Sequence, residues 1–193
     1  FFRRGLKDFE NFSYPYFVAD KERTGLIQKK IRNENKIICG ISWRSASQKI
    51  GLDKSIDLIG FKDILSLEDL MFVDLQYGDT LAERNQLKNE YGLTINKLNE
   101  VDNFNDIDGL ISLIDACDFV ITSSNVTAHI AGALNKKTYL VVPYSAGRCW
   151  YWHDGLTKSL WYPSVEIFSQ NESGDWSIPI NQIKEKIVNE CSL

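Results

Sequence analysis

From Lys36 onward, short wholly apolar runs alternate with segments whose apolar residues recur every three or four positions. Ile37-Ile-Cys-Gly-Ile-Ser-Trp43 predicts a strand buried on both faces that ends in Ser42. A polar loop follows from Arg44 to Lys54, then a short helical segment over Phe61 to Leu65. Met71-Phe-Val-Asp-Leu-Gln76 predicts a second strand, closed by Tyr77 and Gly78. Asp79 or Thr80 is then placed to cap a helix, Thr80 with Glu83 forming a capping box, and Gly92 ends it as a C′ glycine. A weaker strand is expected within Ile95 to Phe104. Asp106 caps the next helix, whose Ile107, Leu110, Ile111, Ile114 and Cys117 fall on one face.

Phe119-Val-Ile-Thr122 predicts another buried strand. Ser123, Ser124 and Asn125 follow at once, and such residues cap helices. Val126, Ile130, Ala133 and Leu134 then recur at helical spacing. Thr138 to Val142 is a fifth strand stopped by Pro143, and Glu166 to Phe168 a sixth. Pro179 suits the first turn of a closing helix over Ile180 to Cys191. Strands alternating with helices define an α/β fold: a Rossmann-like, doubly wound parallel sheet of about six strands with right-handed crossovers.

The opening has a different texture. Phe1, Phe2, Phe9, Phe12, Tyr14, Tyr16 and Phe17 crowd it without periodicity, and Gly25 to Asn35 reads as a polar, basic helix or linker. Residues 1–35 are therefore read as an arm or interdomain linker that packs on an upstream part. Residues 36–193 are read as the folded domain, the back half of a longer protein.

Composition narrows the classes. A length of 193 residues suffices for a full core, and a net charge of −4 argues against a general nucleic-acid or membrane surface. No apolar run approaches the roughly 20 residues that cross a bilayer, and no charged-then-apolar leader opens the chain, so a cytoplasmic protein is expected. Cys39, Cys117, Cys149 and Cys191 are scattered with no C-x-x-C pair, consistent with reduced thiols. Of the Asn-x-Ser/Thr triplets at Asn11, Asn125 and Asn171, the second is better explained as a helix start.

The strand, polar turn and helix from Phe119 to Leu134 form the local plan of an anion site, because the first helical turn presents unpaired N–H groups and a positive dipole end. His129 stands four residues after Asn125, and helical side chains lean toward the N-terminus, so it can reach the same ligand. The alternative is a histidine packed under the sheet. With only His129 and His153 present, no histidine metal cluster is implied. In doubly wound sheets ligands bind beyond the carboxyl ends of the strands. Those ends carry Ser42 to Ser45, Gln76 to Asp79, Phe104 to Asp106, Thr122 to Asn125 and Pro143 to Arg148.

Arg44, Lys49 and Lys54 could neutralise a diphosphate there, or simply form a solvated loop. The run Cys149-Trp-Tyr-Trp-His-Asp154, with Trp161 and Tyr162, closes over a ligand or packs a long connection; a general base at His153 lacks a partner nearby in sequence. No G-x-S-x-G, H-E-x-x-H, P-loop or G-x-G-x-x-G motif occurs where such chemistry needs it.

The ordered set Ile41-Ser-Trp-Arg, Leu75-Gln-Tyr-Gly-Asp, Asp118-Phe-Val-Ile-Thr-Ser-Ser, Thr127-Ala-His-Ile-Ala-Gly-Ala-Leu and Trp161-Tyr-Pro-Ser resembles the C-terminal half of GT-B glycosyltransferases of the heptosyltransferase-like kind (family 9-like). The nearest look is to bacterial proteins that carry such a domain behind tetratricopeptide repeats. The resemblance spans roughly residues 36–190. It implies one half of a two-domain enzyme that binds a nucleotide-diphosphate sugar as substrate, with no metal or other cofactor. The glycosyl group passes to an acceptor glycan, lipid or protein held by an upstream domain of the same chain, so this piece alone is expected to be inactive. Carried over, Ser42, Arg44, Lys54, Ser123, Ser124, Asn125, Thr127 and His129 would serve the donor phosphates. Gln76, Tyr77, Gly78, Phe104 and Asp106 would line the nucleoside side. Relatives often carry an Asp-Thr pair in the turn before the histidine helix, matched here to Ser123 and Ser124. A non-catalytic binding or scaffold domain, or a GT-B-like nucleotide-sugar epimerase, fits the same residues.

Overall fold

A computed structural model describes residues 5–9, 13–32, 36–172 and 174–191. Five parallel strands form one sheet: β1 (Ile37–Ser42), β2 (Leu70–Asp74), β3 (Phe119–Ser123), β4 (Thr138–Val142) and β5 (Val165–Ser169), in the order β2-β1-β3-β4-β5. The helices are α1 (Lys21–Ile31), α2 (Lys62–Leu65), α3 (Leu81–Tyr91), α4 (Ile107–Ala116), α5 (Val126–Ala133) and α6 (Ser177–Cys191). The chain turns outward from β1 to β2, then crosses back to start β3 on the other side of β1. That reversal opens a crevice beyond the ends of β1 and β3, where ligands bind in doubly wound sheets.

The sheet has five strands, not about six. Residues 95–104 supply only an isolated bridge between Asn96 and Val73. Asn96 donates its N–H to Phe72 O at 2.9 Å and accepts from Asp74 N at 2.8 Å. Lys97, Asn99 and Glu100 then interrupt any apolar run that could extend the pairing.

Alternate residues of each strand supply opposite cores, as the period of two requires. Cys39 and Ile41 of β1 join Phe61, Ile64, Leu87 and Ile183 on one face, while Ile38 joins Ile27, Leu110, Leu113 and Ile130 on the other. Near β4 and β5 a third cluster gathers Ala128, Leu140, Val142, Trp152, Val165 and Ile167. Gly40 is small for a reason: a Cβ there would lie 2.4 Å from Leu75 Cδ1.

Two helix starts follow the sequence reading, and a third follows it in part, through Asp79. Asp106 accepts from Gly109 N at 2.9 Å, and Asn125 Oδ1 accepts from Thr127 N at 2.9 Å. The Thr80–Glu83 capping box does not form. Thr80 Oγ1 donates to buried Asp74, Asp79 Oδ1 accepts from Leu81 N at 2.9 Å, and Glu83 accepts from the Trp43 indole at 2.7 Å. An indole N–H and a guanidinium compete better for Glu83 than one exposed backbone N–H does. Gly92 closes α3 at φ +70°, as expected of a C′ glycine. Ile107, read as a core residue, is 46% exposed, and Leu113 is buried in the α4 face instead.

The stretch before Lys36 contributes to the core. Asp20 caps α1 by accepting from Glu22 N and Arg23 N at 2.9 and 3.0 Å, and the helix begins at Lys21, four residues before the Gly25 start that the sequence predicts. Ile27 and Ile31 are buried in the core shared with α4, and Arg23 grips the Asp106 carboxylate with both arms of its guanidinium. Phe9 stacks edge-on against Trp161 at 4.9 Å, and Tyr16 against Tyr162 at 6.3 Å. For these two aromatics, partners exist within the chain. Phe1, Phe2 and Phe12 lie outside the described residues. Among the described residues no helix is long and apolar enough to cross a membrane.

Candidate functional site

At the crevice, three strand ends are tied together by buried amides. Gln76 Oε1 accepts from Ser42 Oγ at 3.0 Å, Trp43 N at 3.0 Å and Arg44 N at 2.9 Å. Asn125 Nδ2 donates to Ser42 Oγ at 2.8 Å and to Arg44 O at 3.1 Å. Ser42 thus relays between the ends of β2 and β3. These bonds satisfy buried polar groups that would otherwise cost about 1–3 kcal/mol each. The sequence reading makes Ser42, Gln76 and Asn125 ligand contacts. Asn125 lines the hollow above this frame, whereas Ser42 and Gln76 are fully buried outside its lining, their polar atoms engaged in the frame itself.

Above this frame lies a hollow of about 520 Å³. One wall is the start of α5, with Ser124, Asn125, Val126 and His129. Lys54 and the Ser45–Ala46 backbone form a second wall, and Tyr77, Asn103, Phe104 and Ile107 a third. The start of α5 brings N–H groups and positive dipole potential. Lys54 is only 7% exposed, and its ammonium makes no hydrogen bond or ion pair to another described residue. A buried ammonium without a carboxylate is costly, and an anion in the hollow would relieve that cost. None of the lining residues is acidic. A larger hollow of about 670 Å³ between α2, α3 and α6 carries Asp57, Asp63 and Glu83 with Lys62, a lining with more acidic than basic groups.

His129 is boxed by aromatics. Its ring stacks on Trp152 at 5.0 Å with an interplanar angle of 20°, and Tyr151 and Tyr162 meet it edge-on. Nδ1 lies 3.2 Å from the Tyr162 hydroxyl. Trp152 is held by its indole N–H, which donates to Ser124 Oγ at 2.8 Å. Burial, and then the charge of Lys54, hold the imidazole below its ordinary pKa, so it is neutral near pH 7.

The remaining predicted residues divide. Tyr77 accepts from Ala46 N through its hydroxyl, and its ring lies 6.2 Å from Phe104, which is 63% exposed at the rim. Arg44 does not line the hollow: its guanidinium donates to Glu83 at 3.0 Å and to Asp79 O at 2.6 Å. Asp106 faces α1 through Arg23, and Gly78, at φ +79°, lies outside the lining. Ser123 is the last residue of β3, so the pair separating strand from helix is Ser124–Asn125, one residue beyond the expected Ser123–Ser124. Thr127 is buried, with Oγ1 unpartnered among the described residues, and Lys49 is exposed. His153 sits in the loop after β4, outside the lining, with Nε2 buried and unpartnered among the described residues.

Sequence reasoning missed Asn103 and the pairing of Tyr162 with His129. Asn103 Nδ2 donates to Asp74 O at 3.0 Å and Gln76 O at 3.2 Å, holding the loop under Tyr77. Its signal was weak, one amide in a polar turn. Tyr162 had a signal in the Trp-Tyr-Pro-Ser block, but nothing local linked it to His129, 33 residues earlier.

No family model matches the chain. Protein FlbA of Caulobacter vibrioides is 29% identical over 147 residues, which cover 75% of this chain and 24% of that protein. The chain therefore spans about a quarter of that curated relative's length. Among solved structures, ADP-heptose lps heptosyltransferase II of E. coli superposes with a TM-score of 0.64 at 12% identity, over 93% of this chain and 54% of that one. A glycosyl transferase family 9 structure from Veillonella parvula gives 0.58 at 10% identity, over 91% of this chain and 52% of that one. E. coli heptosyltransferase WaaC with ADP gives 0.57 at 12% identity, over 93% and 52%. These likenesses show the fold alone: the chain folds like about half of each of these three structures.

Proposed function

We propose that this chain is the donor-binding half of a metal-independent glycosyltransferase. It binds a nucleotide-diphosphate sugar over the ends of β1 and β3. The observation that carries this reading is the convergence of the α5 N-terminus, His129 and carboxylate-free Lys54 on one hollow. The diphosphate lies against the α5 N–H groups and Lys54, and the nucleoside lies toward Tyr77, Phe104 and Ile107. As the bond from sugar carbon to phosphate oxygen breaks, the nucleoside diphosphate leaves with the electron pair. Lys54 and the helix dipole stabilise that developing charge where it appears. The acceptor oxygen forms the new bond, and its proton passes to a base supplied by an upstream acceptor-binding domain, because the hollow lining has no carboxylate.

The acidic-free lining also supports a second reading, a nucleotide-sugar-binding domain without catalysis. Calorimetric titration with ADP-, GDP- and UDP-sugars tests both. Binding of one series with a diphosphate-dependent heat supports the site, and no heat at millimolar ligand removes both readings. Sugar transfer by the full-length parent, lost in Lys54→Met, separates the enzyme from the binding domain.

A further inference from the structure

Two nitrogens of His129 have different fates. Nδ1 faces the Tyr162 hydroxyl at 3.2 Å, while Nε2 has no partner among the described residues. Imidazole can place its single neutral-state proton on either nitrogen, and the hydrogen bond made by one decides what the other offers. We infer that Tyr162 is a positioning residue whose hydroxyl donates to His129 Nδ1, fixing the tautomer in which Nε2–H points into the hollow as a donor.

Three observations carry this. A phenol oxygen shares its lone pairs with the ring, so the hydroxyl is a better donor than acceptor, and imidazole Nδ1 is a strong acceptor. Tyr162 Oη has His129 as its single hydrogen-bond partner among the described residues, so if it accepted instead, its own proton would have no protein acceptor. The tyrosine is also held in place from below. A Cβ at Gly132, one turn after His129, would lie 2.4 Å from Tyr162 Cγ, so the glycine makes room for that ring. Trp152 and Tyr151 close the other sides of the imidazole. Among the described residues the charge of Lys54 acts against this, favouring a lone pair on Nε2, and that influence sets the direction of the test.

The chemical consequence rests on the reading of the hollow as an oxyanion site: His129 then serves a phosphate oxygen as a neutral donor, neither a cation nor a proton acceptor. The tautomer itself is measured without ligand. Isotope-labelled nitrogen NMR at about pH 7.5, one unit above the ordinary histidine value, reports both ring nitrogens. The two histidines are told apart with His129→Gln. The expected spectrum shows Nδ1 unprotonated and Nε2 protonated. In Tyr162→Phe, which keeps the ring against Gly132, Lys54 should draw the lone pair to Nε2. The two nitrogen resonances then move toward each other or exchange order.

A wild-type Nδ1–H tautomer overturns the inference. So does a Tyr162→Phe spectrum unchanged at His129. Nucleoside diphosphate titrated into the same sample tests the donor site separately: failure to bind removes the proposed function and leaves the tautomer result standing.

Discussion

Asn125 donates its side-chain amide to Ser42 Oγ at 2.8 Å, joining the ends of the two strands between which the sheet reverses direction. The same side chain caps α5 through its other atom, accepting from Thr127 N at 2.9 Å. One residue therefore sets both the helix entry and the floor of the crevice. Asn125→Ala should destabilise the fold by about 2 kcal/mol, combining a lost cap with buried partners left unpaired. Asn125→Asp keeps the cap but turns an acceptor toward Arg44 O, and should recover only part of that loss. Urea denaturation of the three proteins checks the order.

Lys54 supplies the hollow with charge that no described carboxylate neutralises. Lys54→Met should leave the fold intact and weaken nucleoside-diphosphate binding roughly 10- to 100-fold, the scale of about 1.5–3 kcal/mol for a hydrogen bond to a charged group. Calorimetry reads it, and the lost charge should also flatten the salt dependence of binding.

Gly132→Ala sets two effects against each other. Alanine gains about 1 kcal/mol over glycine in a helix interior. The new Cβ would lie 2.4 Å from Tyr162 Cγ and 2.7 Å from its Cβ, so the root of the ring must move, not a flexible tip. Overpacking of that kind costs about 1–3 kcal/mol. The variant should melt lower than wild type and show altered tryptophan fluorescence, because Tyr162 neighbours the Trp152 ring at 6.3 Å.

His129 makes stability depend on pH with a definite sign. Burial first, and then Lys54, lower its folded-state pKa below 6.5. Below pH 6.5 the unfolded chain takes up a proton that the folded chain resists, so stability falls as pH drops, until the folded pKa is reached. Above 6.5 both states are neutral and the effect vanishes. His129→Gln should flatten that part of the curve, measured as denaturation midpoints from pH 7.5 down to 5.

The segment before Lys36 stabilises the domain. Ile27 is 6% exposed against the core shared with α4. Ile27→Ala should cost about 2–5 kcal/mol, as for a buried aliphatic truncation. An effect below about 0.5 kcal/mol, the scale of ordinary surface substitutions, would mean that α1 is not docked in solution. Chemical denaturation distinguishes the two.

Much of the site was legible because it is local. A strand, two polar residues and a helix lie consecutively in Phe119 to Leu134, and backbone geometry over such a span follows from periodicity and capping chemistry. Asn125, Ser124 and His129 were found that way, and Lys54 by its charge. Arg44 and Asp106 show where that reasoning stops. Their side chains are of the right type, yet Glu83 and Arg23 claim them, and those partners lie 39 and 83 residues away.

Sequence by itself determined the alternation of strand and helix, the caps at Asp106 and Asn125, the closing Gly92 and the polar loops at the carboxyl ends of the strands. Only the tertiary structure decided that 95–104 adds a bridge and no strand, that α1 belongs to the core, and that Tyr162 meets His129. The physical reason is register. A parallel sheet joins each strand to neighbours through long crossovers, so the side chain opposite a given residue comes from a distant segment. Periodicity encodes which face a residue occupies. It does not encode which distant donor or acceptor arrives there.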